Sequence, residues 1–117
     1  MIVIANDAPS IAKVKAVAEE NGYEVRVADH ADEFKDTLDS FDPAVIVLDI
    51  VMPEVDGIEL IGWLAEHGST ARIVVLADNA LYARLARSLC DARGLILAAG
   101  SAKPIQMADL EAALARS

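Results

Sequence analysis

The chain has 117 residues, a formal net charge of −9 and a hydrophobic share of 55%. Its length suits one domain with one core, and its acidity excludes direct nucleic-acid binding, which needs Lys and Arg to displace phosphate counterions, and disfavours anionic membrane surfaces. No apolar stretch approaches the roughly 20 residues of a membrane span, no basic leader opens the chain, and a single cysteine, Cys90, excludes an internal disulfide, so a reducing, cytoplasmic setting is expected.

Short apolar runs alternate with helix-period segments from end to end. Ile2-Val3-Ile4-Ala5 reads as a strand. Residues 9–21 follow as a helix, with Ile11, Val14, Val17 and Ala18 on one face, Pro9 in its first turn and Gly22 as its stop. Residues 23–27 alternate apolar and polar, which predicts an edge strand wet on one face. Residues 31–39 predict a helix carrying Phe34 and Leu38. The run Ala44-Val45-Ile46-Val47-Leu48 is unbroken and largely β-branched, the pattern of a strand buried on both faces. A loop and a helix at 58–67, with Ile61 and Leu64, come next. A buried strand is expected at 72–76, a helix at 79–92 with Leu81, Leu85 and Leu89 in line, a strand at 95–98, and a closing helix at 106–116 with Leu110 and Leu114.

Five βα units in this length imply an α/β, doubly wound parallel sheet with helices on both faces, since right-handed crossovers leave little alternative. A central first strand beside an edge-like second strand fits the order 2-1-3-4-5. Sites in such sheets lie beyond the carboxyl ends of strands 1 and 3, which here carry Asn6-Asp7 and Asp49. Two nearby carboxylates raise each other's cost of ionisation, and a divalent cation removes that cost; oxygen ligands of this kind suit Mg²⁺. Lys103, just past the fifth strand, supplies a point charge for a phosphoryl oxygen. Carboxylate, metal ligand and lysine are together the minimum for moving a phosphoryl group onto an aspartate.

Along its whole length the sequence resembles the receiver domains of two-component response regulators, which have a flavodoxin-like fold. The most specific piece is Asp49-Ile50-Val51-Met52-Pro53-Glu54-Val55-Asp56-Gly57, which matches the family segment D-x-x-M-P-x-x-D-G at every named position; Asn6-Asp7 and Lys103-Pro104 join it. The resemblance implies that Asp49 is the phosphoacceptor, Asp7 a direct Mg²⁺ ligand, the Val51 carbonyl a further ligand, Asn6 a ligand through water, and Lys103 the phosphoryl contact. It implies a cis Lys103–Pro104 bond. It also implies a signalling role rather than an enzymatic one: a histidine kinase or phosphotransfer protein as donor, and an output domain or partner protein engaged through the face of the fourth helix, fifth strand and fifth helix. It also allows a homodimer.

Three departures qualify the resemblance. Asn6 stands where the family usually has an acid. Ala77 ends the fourth strand where the family places the switch Ser or Thr, and Asp78 follows it. The stretch between Gly94 and Lys103 is longer than usual and brings no aromatic residue before the lysine. These departures motivate an alternative, a pseudo-receiver that acts as a protein-interaction module without phosphorylation. A phosphohydrolase of the dehalogenase type would need an acid where Val51 stands. Cys90 reads as packing, His30 and His67 as residues without ligand partners, and Trp63 and Tyr82 as partly buried helix aromatics.

Overall fold

A computed structural model describes residues 1–5, 8–28, 30–41, 43–49, 51–52, 55–68, 70–77, 80–102 and 107–114. Helices and strands alternate: β1 (Ile2–Ile4), α1 (Ala8–Glu20), β2 (Arg26–Ala28), α2 (Ala31–Ser40), β3 (Val45–Asp49), β4 (Val51–Met52), β5 (Val55–Asp56), α3 (Gly57–Glu66), β6 (Arg72–Ala77), α4 (Ala80–Arg93), β7 (Ile96–Ala102) and α5 (Met107–Leu114). Five of the strands form one parallel sheet in the order β2-β1-β3-β6-β7. Numbered within that sheet, the order is 2-1-3-4-5, the flavodoxin-like arrangement expected from the pattern.

Alternation along the strands sorts the core into two layers. Ile2 and Ile4 of β1, Ile46 and Leu48 of β3, and Ile73, Val75 and Ala77 of β6 face α2, α3 and α4, where Phe34, Ile61, Leu64, Ala83, Ala86 and Cys90 meet them. Val3, Val45, Val47, Val74 and Leu76 face α1 and α5, and pack on Val14, Val17, Ala18, Leu110 and Leu114. A strand between two such layers has no wet face, which is why β3 is apolar at four successive positions and buried throughout.

Four features of the fold differ from the expectations. β2 is only three residues long and begins at Arg26, because Tyr23 is drawn into the α1–α5 layer. There its hydroxyl donates to the Leu114 carbonyl at 3.0 Å and accepts from Arg72 Nη2 at 2.9 Å. β4 and β5 form a two-stranded antiparallel hairpin, Val51 opposite Asp56 and Met52 opposite Val55, where a loop was expected. The leucine line of α4 is split: Leu81 is 56% and Leu85 50% exposed, while Leu89 is partly buried against the core, and the helix is seated chiefly through Ala83, Ala86 and Cys90. Finally, β7 runs to Ala102, past the expected end at Ala98. Ala, Gly and Ser are weak strand formers, and it is the ladder with β6 that holds them extended.

Candidate functional site

All five parallel strands end at one rim, and Asp49 is the last residue of the middle one. Its side chain is fully buried, with Leu48 before it and Leu76 of β6 directly opposite. A packing role alone would favour an apolar residue at so deeply buried a position. On the other flank β1 stands with Ile4 opposite Leu48, so that Ala5 and Asp49 are the next residues of neighbouring strands. Asp7 follows two positions after Ala5.

Ala77 is the residue after Leu76 and stands opposite Ala102 of β7. It is fully buried and belongs to the layer covered by α2, α3 and α4. With only a methyl group, its side chain can offer no hydrogen bond to a ligand at the rim. Val51 opens β4, two residues beyond Asp49. Its backbone carbonyl and the Asp49 carboxylate are hard oxygen donors, the chemistry that Mg²⁺ selects. Asn6, Asp7, Asp78, Lys103 and the Lys103–Pro104 bond lie outside the described residues. Among the described residues no group of three or more His, Cys, Asp and Glu is placed to hold a metal.

The sequence matches the family model of the response regulator receiver domain over residues 2–115. The chain belongs to the receiver-domain family. Receivers of this family are signalling modules, not classical enzymes. Similar solved structures include a response regulator from Colwellia psychrerythraea, 27% identical with a TM-score of 0.78, the match covering 97% of this chain and 90% of that one. The NtrX receiver domain from Brucella abortus is 20% identical at TM-score 0.78, covering 97% and 96%. A CheY-like receiver from Methanospirillum hungatei is 21% identical at TM-score 0.76, covering 93% and 84%. No curated protein matched.

Two further features of the receiver lie away from the rim. Leu81, Tyr82 and Leu85 on α4, with Ile96 on β7, are four of the five large apolar side chains exposed among the described residues. The same helix carries exposed Arg84, Arg87 and Arg93, on a chain whose formal charge is −9. The 3.6-residue spacing of the leucines announces this stripe, but spacing alone does not say which side of the helix meets the sheet. Cys90, by contrast, is fully buried. Desolvation pushes its thiol above the ordinary value of 9.0, the Asp91 carboxylate adds to the rise and Arg87 opposes it. That environment suits packing and disfavours a reactive thiolate.

Among the described residues no helix is long and apolar enough to cross a membrane.

Proposed function

We propose that Asp49 receives a phosphoryl group from a histidine kinase or phosphotransfer protein. The observation that carries this reading is the fully buried carboxylate at the end of the central strand, within the nine-residue segment that matches the family pattern. An Asp49 carboxylate oxygen forms the new P–O bond as the P–N bond to the donor imidazole breaks, and the freed imidazole takes up a proton. Asp7, Asp49 and the Val51 carbonyl, with Asn6 through water, would hold Mg²⁺. When bound, the ion neutralises charge on the transferring group. Lys103 contacts a phosphoryl oxygen as a point charge. The whole operates in the cytoplasm.

The partner or output domain is engaged through α4, β7 and α5. The exposed Leu81, Tyr82, Leu85 and Ile96 support that choice, since a helix seated on small residues and apolar on its outer side has surface to bury. Ala77 bears on how the phosphoryl charge reaches that face, because no hydroxyl is present at the end of β6 to follow the new oxygen atoms.

The test is incubation with acetyl phosphate and Mg²⁺, followed by intact-mass measurement. One added phosphoryl group on the wild type and none on Asp49→Asn is the expected result. Absence of any adduct on the wild type, or equal modification of both, would refute the assignment.

A further inference from the structure

The fifth exposed apolar side chain lies at the other edge of the sheet from the rest. Val27 of β2 is 40% exposed, and β2 and β7 are the two outer strands. α2 packs against β2 and β1, and α4 against β7 and β6, so the two helices coat opposite edges of one layer. Their charges are opposite too. α4 carries Arg84, Arg87 and Arg93 against the single acid Asp91, a formal +2. α2 carries Asp32, Glu33, Asp36 and Asp39 against Lys35, a formal −3.

These charges stand on the open sides of the helices. On α2 the buried residue is Phe34, while Asp32, Asp36 and Asp39 are exposed. Asp32 and Asp36 are four apart and share one face. Lys35 does not neutralise that face, because its ammonium lies 5.4 Å from the centroid of the Trp63 ring on α3. On α4, Leu81, Arg84 and Leu85 are three and four apart and likewise share a face, with Arg87 exposed beside them. Among the described residues, none of Asp32, Asp36, Arg84 and Arg87 has an ion-pair partner within its own chain. Beside the acidic face, a groove of about 350 Å³ runs between α2 and β2, lined by Arg26, Val27, Glu33, Thr37, Ser40 and Phe41. One edge therefore presents leucines flanked by arginines, and the other a groove containing Val27 flanked by aspartates.

We infer that the outer face of α4 receives the α2–β2 edge of a second copy of this chain. Arg84 and Arg87 meet Asp32 and Asp36, and a leucine of α4 enters the groove at Val27. The inference rests on the reading of α4 as a partner-binding face and names the partner; it is independent of phosphorylation at Asp49. A two-fold pairing of α4 with α4 would set arginine against arginine, and like charges across an interface cost affinity. The contact is heterologous. Each copy spends α4 on one neighbour and keeps α2 for the next, so association runs on into short chains instead of stopping at a pair.

Sedimentation velocity at low ionic strength tests it. The weight-average mass of the wild type should climb with concentration beyond that of a dimer. It should return towards the monomer in about 0.5 M salt, where the screening length is about 4 Å. Arg84→Glu with Arg87→Glu, and Asp32→Asn with Asp36→Asn, each leave one edge intact and should weaken self-association about tenfold or more. All four positions are exposed, and an unchanged Tm confirms the fold of each variant. An equimolar mixture of the two variants should form a 1:1 pair of wild-type affinity and nothing larger, since only one intact α4 and one intact α2 are left to meet. A wild type that is monomeric at every concentration would overturn the second copy as occupant and leave α4 to another partner. Variants that each assemble but form no pair when mixed would overturn the head-to-tail contact alone. Assembly undiminished in Arg84→Glu with Arg87→Glu would overturn the α4 face itself, and the inference with it.

Discussion

Replacing Ala77 by Val, Thr or Ser asks whether the end of β6 keeps room for the hydroxyl that this receiver lacks. Ala77 is fully buried, with β7 at its flank and the α2–α3–α4 layer over it. Valine adds two heavy atoms to that closed position, and overpacking of this kind costs about 2 kcal/mol. Threonine adds the same shape with one atom polar; a buried hydroxyl without a partner costs about 1 kcal/mol more. For 117 residues the unfolding entropy is about 0.25 kcal/mol per kelvin. The valine variant should therefore melt about 8 °C below wild type and the threonine variant about 12 °C below. Serine, with one added atom, should fall between wild type and threonine. The assay is thermal unfolding followed by far-ultraviolet circular dichroism, without Mg²⁺. If threonine melts at or above valine, its hydroxyl has found a partner and the rim retains a niche for it. If both melt with the wild type, Ala77 is not enclosed as described and the reasoning fails.

Other consequences can be measured in the same way. Mg²⁺ at ten times its dissociation constant should stabilise the wild type by about 1.4 kcal/mol, or about 6 °C in Tm, and should have no effect on Asp49→Ala; equal shifts in both proteins would show that the ion binds elsewhere. Tyr23→Phe removes the hydrogen bonds to the Leu114 carbonyl and from Arg72, and should cost about 2 kcal/mol in urea unfolding at unchanged m; a loss under about 0.5 kcal/mol would count against that role. His30 Nδ1 accepts from the Glu33 backbone N–H at 3.2 Å and caps α2, so His30→Ala should cost about 1 kcal/mol and His30→Ser should recover most of it. The raised Cys90 value implies that the unfolded thiol ionises first. Its contribution is complete below the ordinary value of 9.0 and is lost as pH climbs above that through the folded value. Cys90→Ala should flatten this alkaline decline, and an identical pH profile would refute the linkage.

Much of the architecture was readable because two-sided burial imposes an unmistakable code. Val45 to Leu48 cannot be other than a central strand once both layers are present, and Asp49 is conspicuous only because that run is so apolar. Other features depend on tertiary partners that no local pattern reveals. Tyr23 looks like part of an alternating strand, yet its hydroxyl is claimed by the far end of α5. Leu81 and Leu85 of α4 keep helical spacing, but their outward direction follows from the burial of Ala83 and Ala86 against the sheet, where Gly100 lies close to Ala83. The strand at Ala99 to Ala102 has almost no intrinsic preference to be one, and β6 imposes it. The hairpin of β4 and β5 is too short for any periodicity to register. At the site, the nine-residue segment beginning at Asp49 was legible as chemistry, and the missing hydroxyl at Ala77 was legible as a gap. The length of the stretch before Lys103 was visible in the count, while the irregularity at Ala98 needed the ladder.

The two layers of the core differ in one further respect, which concerns how the protein can be observed. Trp63, the only tryptophan in the chain, packs against the layer of α2, α3 and α4, with its ring edge-on to Phe34 and stacked on His67 at 3.8 Å. Tyr23 is the aromatic residue of the opposite layer. Indole emission therefore reports on one side of the sheet, and, once Tyr82 of α4 is replaced by Phe, absorbance of the remaining Tyr23 reports on the other. Coincident transitions from the two probes would mark the sheet and both helical coats as a single cooperative unit. Separate transitions would reveal which coat detaches first.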